Sequence, residues 1–281
     1  MLTTPSRTSG WKRHMRSVTT MREPLPEWLS AVFFGLAICV IIGLYSWFAY
    51  GEGATLPTWG ELGKGTKELL TSSKNGEHML VGDTIASMSR LIPAVLLSAV
   101  IGTVIGLYMG VYSAVESMFG KLLDFEGNIV PQAAMVVFLT VLGFAFKMYV
   151  VSIMFGTVPL IALQVAGATR SVHNEFIYSA KTMGATDAEV IWTILFRQVR
   201  PHIFKAIALS VGLGLGILLF AEWSSGSSGF GYRLLKLYRS AKVNMIIPYL
   251  MYFGILGVLN SLFWKLMTRL IDPWFLKAQE K

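Results

Sequence analysis

The sequence predicts an all-α membrane protein whose chain crosses the bilayer about six times. Only 14% of its 281 residues are charged, 54% are hydrophobic, and the mean hydropathy is +0.58. A soluble domain carries close to a quarter charged residues, so this composition is typical of a polytopic membrane protein. The second observation is a series of uncharged runs near the ~20 residues that a helix needs to cross the hydrocarbon core.

Six uncharged runs reach or approach that length. They occupy residues 28–51, 91–115, 127–146, 148–169, 206–221 and 243–264. The fifth run has only 16 residues, but Lys205 beside it can extend its ammonium group to the interface. The first run is too long for the apolar core of a signal peptide and is predicted to remain as a span. Only Lys147 separates the third run from the fourth, which predicts a tight hairpin or, as the alternative, one broken helix.

The basic residues predict the orientation of these spans. With the N-terminus inside, the inner segments carry 15 Lys and Arg and the outer segments nine, so both termini are predicted in the cytoplasm. Residues 222–242 carry four basic residues on the outer side, against this rule. The net charge of +8 is interpreted as membrane topology and not as nucleic-acid binding, because no basic soluble domain is present.

This topology divides the chain into three parts. Residues 1–27 are a basic cytoplasmic tail, residues 28–275 form the transmembrane domain, and residues 276–281 are a C-terminal tail. Gly102, Gly106 and Gly110 fall four apart on the second span, as do Gly212 and Gly216 on the fifth. Small residues at that interval let helices approach closely, and packing within the chain is favoured over a dimer seam.

The longest inner segment, residues 170–205, has the pattern of two helices joined by a glycine turn. Ser171 is the predicted N-cap of the first helix, and Gly184 is placed to end it with a positive φ. Thr186 and Glu189 have the spacing of a capping box for the second helix.

The second helix is expected to end near Pro201, after Arg197 and Arg200, whose charges favour the C-terminal end of a helix. Two to eight residues would suffice to connect two spans, so the longer hairpin needs a partner or a packing role. From the residues alone, a hairpin that lies on the bilayer surface is the alternative.

The hairpin resembles the EAA loop of ABC importer permeases, whose pattern is Glu-Ala-Ala, three residues, Gly, nine residues and Ile-x-Leu-Pro. Tyr178-Ser179-Ala180 stands in the place of Glu-Ala-Ala. Gly184 keeps the glycine, Ile194 keeps the isoleucine, and Arg197 occupies the proline position. Pro201 matches a second proline that is common in one branch of the family.

Four further stretches resemble the same family in the same order along the chain. They are residues 56–57, residues 167–172, Ala221-Glu222 with residues 228–232, and residues 272–274. Several weak motifs in the right order are specific where one alone is not. The resemblance is to the nitrate, sulfonate, taurine and bicarbonate branch, over about residues 28–275. The third span is rich in proline in relatives, whereas this chain has only Pro131 there.

The resemblance implies a type I ABC importer permease fold, in which the glycine turn is a coupling helix that docks on a separate ATP-binding subunit. The implied docking residues are Ser179, Ala180, Thr182, Met183, Gly184, Ala185 and Thr186. The resemblance also implies a homodimer, two ATP-binding subunits that hold ATP and Mg, and an extracytoplasmic substrate-binding protein, all at the bacterial inner membrane. No cofactor is expected in this chain itself.

Polar or flexible residues within the spans are candidates for the translocation pathway or a gate. They are Gln132, Met135, Gln164 and Glu222. The resemblance leaves the substrate open among nitrate, sulfonate, taurine and bicarbonate, with a heteroaromatic vitamin precursor as another possibility.

Enzyme activity is not expected. Residues 60–65 lack the Lys-Ser/Thr ending of a Walker A sequence, so ATP hydrolysis is assigned to partner chains. The four histidines make no metal-ligand spacing, and Gly-x-Ser-x-Gly does not occur. Charged residues are nearly absent from the predicted spans, which argues against the alternative function, a secondary transporter or channel.

Overall fold

The protein is described by a computed structural model that covers residues 27–50, 56–71, 73–74, 77–226 and 228–272. These residues form ten helices and one short strand pair, which confirms the predicted all-α class. The helices are α1 (Glu27–Tyr50), α2 (Trp59–Thr71), α3 (Met79–Val111), α4 (Ser113–Asn128), α5 (Pro131–Leu142), α6 (Phe146–Arg170), α7 (Asn174–Thr182), α8 (Asp187–Ser224), α9 (Phe230–Arg239) and α10 (Val243–Ile271).

The strand pair joins β1 (Ser73–Lys74) to β2 (Glu77–His78) in antiparallel register. Among the described residues, five helices are long and apolar enough to cross a membrane, namely α1, α3, α6, α8 and α10. The bent pair of α4 and α5 adds a sixth crossing if it counts as one span. The predicted tail at residues 276–281 lies outside the described residues, as does the predicted tail at residues 1–27 except for Glu27, which begins α1.

The chain divides into two compact units, of which the first ends at Glu61. In that unit the apolar side chains of α1 are mostly exposed, which suits a helix in contact with lipid. Tyr45 Oη donates to Pro57 O at 2.6 Å, and Trp59 Nε1 donates to Ser46 Oγ at 3.0 Å. These bonds hold the segment after α1 against the end of that helix.

The second unit is built on the packing of α3 against α6. A Cβ added at Gly106 would lie 2.6 Å from Ala162 O, and one added at Gly110 would lie 2.4 Å from Thr169 Cβ. The contact points advance together along both helices, so α3 and α6 run parallel. Gly102 makes a similar contact, which confirms that this glycine stripe serves packing within the chain.

Replacing Gly106 with alanine is expected to lower the free energy of unfolding by about 1–3 kcal/mol, because the methyl group would have to push α6 away. The matched control is Gly257→Ala on α10, where an added Cβ meets nothing within 4 Å. That change is expected to be neutral or slightly stabilising, since alanine is the better helix former. Unfolding of both purified variants in mixed micelles measures the difference, and equal midpoints would contradict the packing argument.

Because α3 and α6 are parallel, the chain between them must return across the bundle. The returning segment is bent, with α4 and α5 meeting at 97°. α5 has 12 residues and a length of about 18 Å, too short to cross alone. The predicted straight span at 127–146 is therefore wrong. Pro131 disfavours a helical conformation at the preceding residue, and Val130 is accordingly extended, with φ −66° and ψ 115°.

α5 and α6 form the predicted tight hairpin. A Cβ added at Gly156 would lie 2.9 Å from Pro131 Cγ, so the start of α5 meets the middle of α6 and the helices are antiparallel. The alternative of one broken helix is excluded by this contact. The turn lies at Gly143, whose φ is +67°, and not at Lys147, which belongs to the first turn of α6. The prediction that Lys147 forms the turn between α5 and α6 is wrong, because a glycine supplies the turn conformation.

Two predicted boundaries fail because helices continue through polar sequence. α3 begins at Met79 and not near residue 91. The second helix of the hairpin and the fifth span are one helix, α8, and Pro201 lies inside it. The prediction that the helix ends near Pro201 is wrong. Proline is tolerated within membrane helices where neighbouring elements compensate, and a π-helical segment at Val190–Leu195 precedes it here.

Candidate functional site

The hairpin that joins α6 to α8 consists of α7, a glycine turn and the capped start of α8. Gly184 N donates to Lys181 O at 3.0 Å, and Ala185 N donates to Ala180 O at 3.1 Å, so carbonyls at the end of α7 are satisfied. Gly184 has φ +89°, in the left-handed region that favours glycine. The prediction that Gly184 ends the first helix is confirmed.

The predicted N-cap of α7 is wrong. The Ser171 hydroxyl donates to Ala168 O at 2.7 Å, because Ser171 is the C-cap residue of α6. The N-cap residue is His173, which makes no side-chain capping bond.

The predicted capping box at the start of α8 is confirmed. Thr186 N donates to Glu189 Oε2 at 2.8 Å, and Glu189 N donates to Thr186 Oγ1 at 3.4 Å. Across the turn, Lys181 pairs with Asp187, and this hydrogen bond raises the pKa of the Lys181 ammonium. The turn is therefore held by the capping box at the start of α8 and by the Lys181–Asp187 ion pair, which joins α7 to α8.

Replacing Thr186 with alanine is expected to cost about 1 kcal/mol of helix stability, because it removes the side-chain acceptor of the capping box. Amide hydrogen exchange measured by mass spectrometry would report faster exchange at residues 186–190. Thr182→Ala is the matched control, because the Thr182 hydroxyl bonds only to carbonyls within its own helix. Equal protection in the two variants would contradict a capping role for Thr186.

One face of the hairpin is buried and the other is exposed. Ala180, Ile191 and Leu195 are no more than 3% exposed and join the main hydrophobic core, which includes Leu107 of α3. Met183 is 81% exposed. The Ala180 side chain is therefore buried within this chain, and its role in docking stays a prediction. The exposed residues of the implied docking set are Ser179, Thr182, Met183, Gly184 and Thr186.

Ala185 is half-buried and packs on the main core. The turn formed by residues 183–186 is called the hairpin tip below. Because its core side is fixed by packing and its ends by hydrogen bonds, the tip is a small, stiff surface.

The opposite end of α3 carries a set of buried and half-buried polar side chains that we call the charge network. Its members are Asp83, Ser87, Arg90, Glu222, Ser228, Arg233 and Tyr249. The first three lie on one face of α3. Gly110 of α3 lines a cavity with hairpin residues, so about 30 Å of helix separates the hairpin from Arg90. That distance matches the thickness of a bilayer core.

Glu222 is the centre of the charge network and is 0% exposed. Arg90 Nη1 lies 2.7 Å from Glu222 Oε1, and Ser87 Oγ donates to the same carboxylate at 2.9 Å. Gly231 N donates to Glu222 Oε2 at 3.1 Å. Arg90 also donates to Ser228 O at 2.9 Å. A buried charge is stable only with such a set of partners.

A second ion pair extends the charge network to α9 and α10. Arg233 Nε donates to Asp83 Oδ2 at 2.7 Å and Arg233 Nη2 donates to Asp83 Oδ1 at 3.1 Å, in a bidentate arrangement. Tyr249 Oη donates to Asp83 Oδ2 at 3.1 Å. Within the described part of the chain, every buried side-chain nitrogen and oxygen has a partner. The network therefore ties α3, α8, α9 and α10 together.

Two glycines let the start of α9 approach Glu222 and the backbone around it. A Cβ at Gly229, whose φ is +105°, would lie 2.3 Å from Glu222 Oε1. A Cβ at Gly231 would lie 2.0 Å from Leu219 O. The Ser-Gly-Phe-Gly-Tyr stretch at residues 228–232 thus has a physical reason, because only glycine lets α9 approach the end of α8 this closely.

The sequence also matches a known protein family. Residues 72–277 match the family described as "Binding-protein-dependent transport system inner membrane component". The chain belongs to this family. It is therefore the inner-membrane component, or permease, of a binding-protein-dependent transport system, as the motifs predicted.

Relatives of the permease include transport proteins for small anions and sulfonates. It is 24% identical over 242 residues to the nitrate import permease protein NrtB of Synechocystis sp., covering 85% of this chain and 88% of the relative. It is 20% identical over 194 residues to the taurine transport system permease protein TauC of Escherichia coli, covering 69% and 70%.

Solved structures agree with the fold of the permease. An inward-facing structure of the MetNI methionine ABC transporter superposes with a TM-score of 0.57 at 18% identity, over 72% of this chain and 100% of the other. A bacterial alginate ABC transporter, in complex with an alginate-bound periplasmic protein, gives a TM-score of 0.52 at 13% identity, over 87% and 98%. The predicted ABC importer permease fold is confirmed.

The structure separates the predicted pathway residues of the permease. Met135 and Glu222 are no more than 1% exposed, whereas Gln132 and Gln164 are half-buried. Gln164 lies between Ala162 and Val165, which contact Gly106 of α3, and this level is about 25 Å along α3 from Arg90, the partner of Glu222. The four predicted pathway residues therefore do not form one cluster in a single chain, and their role in the pathway stays a prediction.

Asp83, Arg90 and Arg233 of the permease were not predicted as site residues. Asp83 and Arg90 were assigned to a loop because they precede the apolar run, although their spacing, with Ser87 between them, puts all three on one helical face. Arg233 is one of the four basic residues at 222–242 that oppose the orientation rule, and its charge is neutralised by Asp83.

Proposed function

We propose that the permease is the pathway-forming subunit of an ATP-driven importer and that the hairpin tip docks on a separate ATP-binding subunit. The observation that carries this proposal is the stiff, exposed tip, which leads directly through its capping box into the membrane-crossing helix α8. A rigid connection transmits a rigid-body motion of a partner, whereas a flexible loop would absorb it. In this proposal ATP and Mg bind to the partner subunits, and the permease itself has no enzymatic activity.

The proposed orientation places the hairpin in the cytoplasm and the charge network at the outer face. The excess of Lys and Arg on the hairpin side supports this, and both termini are then cytoplasmic. A substrate-binding protein would deliver cargo at the outer face, and the structurally similar alginate ABC transporter was solved in complex with an alginate-bound periplasmic protein.

A second copy of the permease is proposed to complete the pathway. One face of α8 carries the exposed apolar residues Leu209, Leu213 and Phe220. Gly212 and Gly216 lie exposed on the same face, and a Cβ added at either glycine would meet no atom within 4 Å. A membrane helix with small and apolar residues on an uncovered face can pack against another helix. This support for a homodimer is independent of the hairpin.

The proposed cargo is a small oxyanion or a sulfonate, such as nitrate, taurine or bicarbonate. The support is the similarity to the nitrate and taurine permeases. The permease would not hold this cargo tightly, because each buried charge of its network already has a partner of opposite sign.

The decisive experiment is reconstitution in proteoliposomes with the cognate ATP-binding subunit and binding protein. Uptake of labelled nitrate, taurine or bicarbonate is expected only with ATP on the hairpin side and binding protein on the other. A variant of the ATP-binding subunit without its Walker lysine is the control. Uptake by the permease alone, driven by a proton or sodium gradient, would instead establish a secondary transporter.

A further inference from the structure

At the end of the permease opposite the hairpin, α2, α9 and the start of α10 pack together in what we call the end layer. Leu69 of α2 shares a buried cluster with Leu234 and Leu237 of α9. A Cβ added at Gly65 would lie 2.1 Å from Asn244 O, so α2 also contacts the start of α10 closely. The end layer is therefore a packed surface and not a set of loose loops.

Within the end layer, α9 buries one face and exposes the other. Phe230, Leu234 and Leu237 are no more than 7% exposed, whereas Lys236 and Arg239 are exposed on the opposite side of the helix. An amphipathic helix inserts into a lipid layer through its apolar face, and here the protein itself covers that face. About 40 Å of α3 separates Gly110 from Asp83, which holds α9, and the hydrocarbon core is only about 30 Å thick. The exposed face of α9 is therefore a water-facing surface.

The four basic residues at 222–242 that oppose the orientation rule fall into two pairs. Arg233 and Lys242 are neutralised by ion pairs with acidic residues of α3 and α2. Lys236 and Arg239 have no ion-pair partner among the described residues, and residues 230–250 include no acidic residue. Two unneutralised charges, one helical turn apart, therefore remain on α9.

α2 adds two further charges to the end layer. Lys64 and Lys67 are exposed on the side of α2 away from its buried residues, and they too lack an ion-pair partner in the described part of the chain. Glu68, the one acidic residue at 62–71, is already paired. The four unpaired cations are called the basic surface and are Lys64, Lys67, Lys236 and Arg239.

An aromatic side chain stands beside Arg239 on a fixed support. Tyr238 is 66% exposed, although its ring packs on Trp223 at a centroid distance of 5.9 Å. α9 ends in a tight turn, in which Lys242 N donates to Leu237 O at 3.1 Å. Tyrosine and arginine are the residue types that most often carry binding energy at protein–protein interfaces. The composition of this surface thus suits a protein partner.

We propose that the basic surface, with Tyr238 beside it, docks an acidic face of the extracytoplasmic substrate-binding protein. The inference rests on the proposed function, in which this end of the permease is the outer face and receives cargo from such a protein. Exposed positive charge on the outer side opposes the topology rule, and an acidic partner gives that charge a use. Opposite charges on two partners speed their encounter and fix the orientation in which they dock.

The test uses the complete importer in nanodiscs and the purified cognate binding protein, whose association is followed by biolayer interferometry. At about 50 mM salt, Lys236→Gln/Arg239→Gln is expected to slow association about tenfold, because two charges of the encounter surface are lost. At about 500 mM salt the variant and the wild type are expected to associate at nearly equal rates, because the charges are screened. Lys265→Gln/Arg269→Gln is the matched control, since it removes the same two charges from an exposed side of α10 at the hairpin end, and it is expected to associate as wild type.

A second arm measures ATP hydrolysis by the importer against the concentration of binding protein. The α9 double variant is expected to need about ten times more binding protein for half-maximal stimulation and to reach the same maximal rate, which separates loss of docking from misfolding. Arg239→Glu is expected to be weaker still, and an acidic-to-arginine change on the docking face of the binding protein should restore its association.

The outcomes separate this inference from the proposed function. If the binding protein stimulates the wild type while the α9 double variant associates equally fast at low salt, the basic surface is not the docking site and the proposed function stands. An equal loss in the α10 control also overturns the inference. A binding protein that neither associates with the wild type nor stimulates it refutes both. If the α9 change alters only the retention of phosphatidylglycerol in the nanodiscs, the surface belongs to the membrane and the inference fails.

Discussion

Replacing Glu222 with alanine is expected to lower the free energy of unfolding of the permease by about 3–5 kcal/mol. The change removes the carboxylate that neutralises Arg90, whose side chain is only 14% exposed. It also removes the acceptor for Ser87 Oγ and Gly231 N, so buried donors lose their partner as well. Unfolding by titration with a denaturing detergent, followed by circular dichroism, measures the loss.

Three further variants define the cause of this loss. Lys242→Gln breaks an exposed pair with Glu68 and is expected to cost at most about 1 kcal/mol. Glu222→Gln keeps an acceptor and should lie between the two. The double variant Arg90→Met/Glu222→Met removes both charges and should recover part of the stability. If Glu222→Ala were no less stable than Lys242→Gln, the charge network would not stabilise the fold.

Replacing Gly184 with arginine is expected to abolish co-purification of the permease with the proposed ATP-binding subunit and, with it, ATP-driven uptake. The positive φ of +89° costs a non-glycine residue about 1–3 kcal/mol, and the side chain would project from the tip toward the partner. An added Cβ at Gly184 meets nothing within 4 Å, so the permease itself is expected to remain folded.

The matched control for Gly184→Arg is Gly127→Arg on α4. Gly127 is exposed, an added Cβ there also meets nothing, and its φ is not in the positive region. The same charge and bulk are thus introduced away from the hairpin tip, and the complex is expected to survive. A complex that persists in Gly184→Arg, or is lost equally in both variants, would refute docking at the tip.

The elements that sequence reasoning predicted well are those that depend on local bonds or on length. The capping box at Thr186 and the positive φ of Gly184 follow from residues within a few positions of each other. Most of the spans were found because a helix must present about 20 apolar residues to the hydrocarbon. Hydropathy could not detect the 97° bend before α5, because the bend lies in uncharged sequence.

The charge network escaped prediction because its contacts join distant parts of the chain. Ser87 and Glu222 are 135 positions apart, and Asp83 and Arg233 are 150 apart. A charged residue beside an apolar run normally indicates the end of a span, since an unpaired charge in the bilayer is costly. Here the charges pair with each other, so the helices continue past them. Only the tertiary structure shows that pairing.

Because α8 has 38 residues, it is a rod of about 57 Å that starts at the Thr186 cap and reaches Glu222 near its far end. No loop interrupts it, although it contains the π-helical segment Val190–Leu195 and Pro201, so its two ends are joined by continuous helical backbone. If the hairpin tip docks on an ATP-binding subunit, as proposed, a displacement at the cap is expected to move Glu222 and the helices that its charge network joins. In that case a single helix connects the proposed docking surface to a buried carboxylate near the opposite face of the membrane.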